Sequence, residues 1–427
     1  MPSGACLSHR LGKYQRGKKM FSIIIPFHKK NQFLAEAIAS IREQTLQDYE
    51  IVLVPNGEVL KDSKYLESFK GDNIQMYPCT ETGKVGKVKS FGFKQAKGDY
   101  LVELDYDDLL TPDCLEKLQL EIDKDQPDFL FSNFCQVNLD GEPDKLWSNY
   151  YGWEYRDYLY KGKLLKETLS PAFTPQNISR IWFNANHIRV WKKTFYAELG
   201  GHDESMTISD DHDLVLRSYL KGVCRHIDDC LYIYRVHEQN TTWLLNGEIQ
   251  ETMWLTYDRY IWQLMEKWAD DNKLRKIDLA GGINPKLGYE NYDLRNAQII
   301  GDLDETWKLE DNSVGILRAD NAIEHFKDPI HTMNEAYRVL KHGGAFMILV
   351  PSTDGQGAWC DPTHVSFWNL RSFRYYTEAN MRLYIEPKCQ AKFQIMKCVN
   401  INLWGLPFCE VHLIAVKDGR FHGEYNW

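Results

Sequence analysis

The run Leu101-Val-Glu-Leu-Asp-Tyr-Asp-Asp108 sets three carboxylates, Asp105, Asp107 and Asp108, into four positions behind an apolar stretch. Like charges crowded at a strand end repel unless something neutralises them. A solvated turn would do so, and so would a divalent cation, for which carboxylate oxygens are the usual ligands. Farther on, Lys276-Ile-Asp-Leu-Ala-Gly-Gly-Ile283 ends an apolar run in glycines, which let a backbone approach a ligand closely. Trp359-Cys-Asp-Pro-Thr-His364 supplies a histidine, and a neutral imidazole can remove a hydroxyl proton. The same segment also reads as a plain turn, because Asp-Pro starts turns readily.

Such groups act only if strand ends bring them together. Phe21-Ser-Ile-Ile-Ile-Pro26 and Glu50-Ile-Val-Leu-Val54 are β-branched runs of the kind buried parallel strands use. Between them Leu34, Ile38 and Ile41 share one helical face, and a third strand, Tyr100 to Leu104, runs into the acids. Strand, helix and strand at this spacing predict a parallel sheet with its ligands at the carboxyl ends. Trp254, Tyr257, Ile261, Leu264 and Trp268 then recur at three-four spacing as one apolar helix face. A new α/β pattern starts at Lys276. The expected organisation is a basic, disordered arm over 1–19, a first domain over 20–245, a linking helix over 246–272 and a second domain over 273–427.

Bulk properties set the bounds. A chain of 427 residues exceeds one ordinary core. Its formal charge of −9 argues against a nucleic-acid partner. No apolar run reaches the roughly 18 residues of a membrane span. The arm's Arg10, Lys13, Arg16, Lys18 and Lys19 lack an apolar anchor, so membrane contact is expected to be peripheral at most. Ten cysteines without a C-x-x-C pair fit reduced thiols and a cytoplasmic location. The aromatic crowd from Trp147 to Tyr160 suits a sugar platform or a core equally.

In order, SIIIPFHKK, SIREQT, EIVLVPNG, GFKQAKGDYLVELDYDD, ELGGHDE, SDDHDL and YRVHEQNTT resemble a family 2 glycosyltransferase of the GT-A fold. The resemblance implies a nucleotide-sugar donor, most commonly a UDP-sugar, a glycan acceptor, and Mn2+ or Mg2+. Asp105 and Asp107 take the D-x-D positions, with Asp107 the expected direct metal ligand, Asp105 at the metal and ribose, and His237 at the metal or diphosphate. Pro26, Asn56 and Lys89 would line the donor. Inverting transfer needs a base for the acceptor hydroxyl, and position favours Asp211, with Asp210 in reserve and Asp213 a helix cap. One departure stands out. Relatives carry an acidic pair after the second strand, where this chain has Val54-Pro-Asn-Gly-Glu58, and Pro55 offers neither carboxylate nor backbone donor.

The glycine segment resembles the first motif of class I methyltransferases that use S-adenosylmethionine. Tyr289-Glu-Asn-Tyr-Asp293, Gly301-Asp302-Leu303, Ala322-Ile-Glu-His325 and Arg338-Val-Leu-Lys-His-Gly-Gly344 follow in the family's order. The resemblance implies a Rossmann-like domain in which Asp278, Gly281, Gly282, Asp293 and Asp302 line the cofactor. Ala280 stands where the first glycine is usual. His364 is the candidate base, with Asp361 orienting it or binding metal. The expected whole is a bifunctional enzyme that adds a sugar and O-methylates a sugar, the alternative being a glycosyltransferase with a non-catalytic scaffold domain. Oligomeric state is not legible in the sequence.

Overall fold

A computed structural model describes residues 19–81 and 83–420, so the predicted arm, Lys19 apart, lies outside the described residues. The chain divides into two compact units. One holds everything through Phe134 together with His187–Ser205 and Gly222–Arg235. The other holds Cys135–Asn186, Met206–Lys221 and everything from Val236 onward. Compact units thus alternate along the chain, whereas the sequence pattern suggests two blocks in succession.

In chain order, the first sheet's strands are β1 (Phe21–Phe27), β2 (Tyr49–Pro55), β3 (Ile74–Met76), β4 (Tyr100–Glu103), β5 (Leu109–Leu110) and β6 (Phe129–Val137). They are followed by the hairpin strands β7 (Tyr155–Tyr160) and β8 (Lys163–Thr168), then β9 (Arg189–Lys192) and β10 (Cys224–Arg235). The main path runs β3-β2-β1-β4-β9-β6-β10-β5. β3, β2, β1 and β4 are parallel, and β9 joins β4 antiparallel. All three strands read from the sequence are here, and the acids follow β4 at its carboxyl end. Helix Val85–Gln95 lies so tightly on β1 and β2 that a Cβ at Gly92 would meet Val54 Cγ2 at 2.5 Å and Ile24 Cγ2 at 3.0 Å. Only glycine allows that approach.

The second unit contains a sheet of β11 (Arg275–Leu279), β12 (Glu290–Asp293), β13 (Ile299–Ile300), β14 (Val314–Asp320), β15 (Leu340–Pro351), β16 (Phe393–Leu403) and β17 (Leu406–Ala415). Its order is β13-β12-β11-β14-β15-β17-β16. The first five are parallel, while β17 and β16 are antiparallel. Strand order reverses beside β11, the position at which open parallel sheets bind ligands. One sheet face is covered by helix Pro329–Val339 through Met333, Ala336 and Val339. The other is covered by helix Asn246–Asp271, whose Tyr257, Ile261, Met265 and Ala269 pack on Ile316, Ala345, Met347 and Ile414. Tyr257 and Ile261 of the three-four stripe thus cover the second sheet, while Leu264 packs with Ile178 and Leu216. Within the aromatic crowd, Trp147, Trp153 and Phe183 stack on one another with centroids 4.6–5.3 Å apart. Of these three rings Trp153 is buried, and Trp147 and Phe183 are half-buried. No helix among the described residues is long and apolar enough to cross a membrane.

Candidate functional site

In the first unit the four acids behind β4 do different work. Glu103 is fully buried and carries two cations, Lys89 Nζ at 2.5 Å and Arg189 Nε at 3.2 Å. Asp108 is also buried, and its carboxylate accepts from the Tyr232 hydroxyl at 2.8 Å and the Arg235 backbone N–H at 2.8 Å. Burial raises its pKa, with Asp107 and Asp105 adding to the effect. Asp105 faces His187, whose Nε2 lies 3.4 Å from Oδ2. Burial pushes the Asp105 carboxyl up to about 7, against the pull of Lys89. His187 stacks on Tyr232 at 4.4 Å between centroids. The backbone carbonyl of Asp107 accepts from Arg235, whose guanidinium also pairs with Glu36.

The ligand atoms of Asp105, Asp108 and His187 lie within 4.8 Å of one another. Two carboxylates and an imidazole suit a divalent cation of the Mn2+ type. Asp107, the ligand the sequence pattern favours, lies outside that group, and the adjacent Asp108 is inside it. Lys89 is engaged with Glu103. Pro26 pairs with Val54 in the β1–β2 register. The Asn56 amide donates to the Phe27 carbonyl at 3.0 Å, tying the end of β2 to β1.

Asp210 and Asp211 open helix Asp210–Lys221 in the second unit. Asp210 and Asp213 are each 1% exposed, whereas Asp211 is half-buried, so of the three only Asp211 has appreciable access to solvent. Asp213 accepts from Arg217 Nε at 2.8 Å and the Tyr260 hydroxyl at 2.8 Å, which fastens this helix to helix Asn246–Asp271. It is a structural anchor and not the cap expected. His237 Nδ1 accepts from the Gln239 N–H at 3.2 Å, and its own N–H donates to Asn240 Oδ1, in the turn before a short helix.

At the second sheet, the glycine turn follows β11. Ala280 takes φ +50° and Gly282 φ +61°. A Cβ on Gly282 would meet nothing within 4 Å, so that side of the turn is open. Asp293 ends β12 and accepts from the Gly282 N–H at 3.1 Å and the Leu294 N–H at 2.6 Å. Asp278 is fully buried and held by Arg318 at 2.8 and 3.0 Å. Gly281 donates its N–H to Asn291, and Asp302 is exposed. Residues 280–289 join the parallel β11 and β12 without a helix. The turn therefore runs into loop and not into a helix.

Glu324 and His325 sit on a short helical turn just past β14, and His364 lies on the loop after β15. All three face the same sheet edge, with ligand atoms within 4.8 Å of one another. Burial pushes the Glu324 carboxyl up to about 7.

Residues 22–180 match the Glycosyl transferase family 2 domain and residues 282–348 the Methyltransferase domain family. The chain joins a family 2 glycosyltransferase domain to a methyltransferase domain. It is 22% identical to Glycosyltransferase GlyG of Streptococcus pneumoniae serotype 4 over 61% of this chain and 83% of that protein. Against Chondroitin synthase of Escherichia coli identity is 23% over 52% of this chain, but only 30% of that protein is spanned. Of solved structures, S. aureus TarS 1-349 in complex with UDP-GlcNAc shares 17% identity over 56% of this chain and 66% of that one, with a TM-score of 0.42.

Spacing alone did not reveal His187, Arg235 or Glu324. His187 stands 79 positions from Asp108 in an apolar-basic stretch with no acid beside it (187 − 108 = 79). The readable signal for Glu324 was the Ala322-Ile-Glu-His325 segment of the methyltransferase pattern.

Proposed function

We propose that the protein builds a glycan, the glycosyltransferase domain moving a sugar from a nucleotide-sugar to a glycan hydroxyl with inversion and the methyltransferase domain O-methylating a sugar. The observation that carries the first half is the gathering of Asp105, Asp108 and His187 at the carboxyl end of β4. These residues, with Asp107, would hold Mn2+ or Mg2+. Such a cation offsets the charge that develops on a departing diphosphate. Glu103, Lys89 and Arg189 form the buried frame that fixes the turn. Asp211, the accessible acid of its helix, takes the proton of the attacking hydroxyl. A UDP-sugar is the donor the family resemblance favours. A glycan acceptor is likewise what the family resemblance favours.

For the second half, the open glycine turn and Asp293 fit S-adenosylmethionine. Asp293 spends one contact on Gly282 and one on Leu294, and its oxygens keep further lone pairs for ribose hydroxyls. The cofactor supplies an electrophilic methyl group. Glu324 and His364 lie at the same sheet edge, on the side from which an acceptor hydroxyl would approach the methyl group. Beside them Trp359 and Phe367 stack at 4.5 Å while remaining 60% and 45% exposed, a flat apolar surface suited to a sugar ring. The test is release of nucleoside diphosphate from a panel of sugar nucleotides with Mn2+. Release that stops with chelator and returns with Mn2+ supports the reading, and release unaffected by chelator refutes its metal.

A further inference from the structure

We propose that Glu324, His325 and His364 form a site for a divalent transition-metal cation, with one coordination position open to an acceptor oxygen. The acceptor's role rests on the methyltransferase reading above. The cation rests on side-chain geometry alone.

Two ring tautomers are set by what the rings touch. His364 Nδ1 lies 3.0 Å from the Ala358 carbonyl and His325 Nδ1 lies 3.2 Å from the Thr363 carbonyl. Carbonyls only accept, and the Thr363 hydroxyl, also 3.2 Å from His325 Nδ1, donates its proton to Asp361 Oδ1 at 2.6 Å, so both ring protons sit on Nδ1 and both Nε2 atoms carry lone pairs. Metal-binding imidazoles are oriented in this way, through the other ring nitrogen. His364 Nε2 then faces Glu324 Oε1 at 3.9 Å and Asp361 Oδ2 at 3.9 Å. Three acceptors converge with no donor among them.

Glu324 supplies an independent sign. It is 2% exposed, and neither side-chain oxygen has a hydrogen-bond partner from another described residue. A buried carboxylate is ordinarily paired or bound to metal. A tetrahedral ion with ligand bonds near 2.0–2.2 Å keeps its ligand atoms roughly 3.4 Å apart. The observed separations, 3.9 Å for His364 to Glu324 and within 4.8 Å for every pair, close to that value by side-chain shifts of about an ångström. Two imidazole nitrogens with one carboxylate favour Zn2+, with Co2+ as its spectroscopic substitute, over Mg2+, Ca2+ or Mn2+.

The fold holds the three together. The backbone N–H groups of Val365 and Ser366 donate to the Glu324 carbonyl at 2.9 and 3.0 Å, locking the His364 loop to the Glu324 turn. The site also lies on the same sheet edge as the glycine turn and Asp293.

The test uses the full chain, stripped of metal, titrated with Zn2+ and then examined with Co2+ as a spectroscopic probe. Because Asp105, Asp108 and His187 also offer ligands, the reading is the difference between wild type and variant. Glu324→Gln and His364→Gln, each checked for folding by circular dichroism, should lose about one bound Zn2+ per chain and the Co2+ ligand-field band of a nitrogen-rich site. Asp105→Asn, which removes a ligand from the other cluster, should keep the Co2+ band of the nitrogen-rich site whatever Zn2+ it loses from its own. Unchanged stoichiometry and spectrum in both folded variants overturns the proposal, as does a wild type whose Co2+ spectrum shows no nitrogen ligation. Absence of S-adenosylmethionine binding would count against the methyltransferase reading and leave the cation result standing.

Discussion

Glu103→Gln should destabilise the first unit far more than it alters any ligand contact. Glu103 is 0% exposed and is the anion between Lys89 and Arg189, whose side chains are 11% and 4% exposed. The amide keeps the shape but leaves two buried cations sharing no carboxylate at that point. Breaking a buried pair in this way costs about 3–5 kcal/mol, a large part of the 5–15 kcal/mol that typically holds a domain. Lys89→Met is the informative partner. It leaves Glu103 and Arg189 as a matched pair and should cost less than half as much. Urea denaturation followed by circular dichroism compares the two. If Glu103→Gln unfolds at the wild-type midpoint while Lys89→Met abolishes donor binding, Lys89 serves the diphosphate, as its sequence position suggests, and the buried-frame argument is wrong.

Asp211→Asn should leave donor binding intact while lowering transfer by about 100-fold or more; Asp210→Asn, buried, should show up in stability first, and a folded Asp210→Asn that alone is inactive would reverse the assignment. A fragment starting at Asn246 should melt cooperatively and one starting at Lys273 should not. The missing helix buries Tyr257, Ile261 and Met265 on the sheet, at about 1.5–3 kcal/mol for each large apolar side chain; equal melts would show that the helix is only a linker. His412 is held neutral, burial and then Lys397 lowering its pKa to about 3 from an ordinary 6.5. The unfolded chain therefore takes up a proton that the folded one refuses, so stability is lost as pH falls below the unfolded value. Relative to His412→Gln, wild type should lose about 2 kcal/mol between about pH 6.5 and about pH 5, and parallel urea midpoints for the two would contradict it.

Much of the fold was readable because its strands are long β-branched runs whose ends carry the chemistry. Phe21-Ser-Ile-Ile-Ile-Pro26, Glu50 to Val54 and Tyr100 to Leu104 fall in β1, β2 and β4 and the residue that follows it. The alternation of compact units was not readable, because periodicity says which residues are buried and not against what. The stripe from Trp254 to Trp268 shows this: its spacing gave a helix, and only tertiary packing says which sheet it covers. Likewise the acids of LVELDYDD were legible as a cluster, but their division of labour depends on Arg189, His187, Tyr232 and Arg235, which stand from 82 positions (His187 to Asp105, 187 − 105 = 82) to 128 positions (Arg235 to Asp107, 235 − 107 = 128) from the acids they touch, in no readable register. The glycine turn was legible through Gly281 and Gly282, and Pro285 and Gly288 behind them are the helix-breaking residues that fit a connection from β11 to β12 without a helix.

The central claim, a nucleotide-sugar site built on the acids behind β4, is tested most directly by calorimetric titration of UDP-sugars with Mn2+ into the full chain and into Asp105→Asn. Loss of one charge-assisted ligand contact worth roughly 1.5–3 kcal/mol should weaken binding by about 10- to 150-fold. Binding by the wild type that falls in that range for the variant is the predicted result. Equal binding by a folded Asp105→Asn, or no binding of any donor by the wild type, would contradict the account.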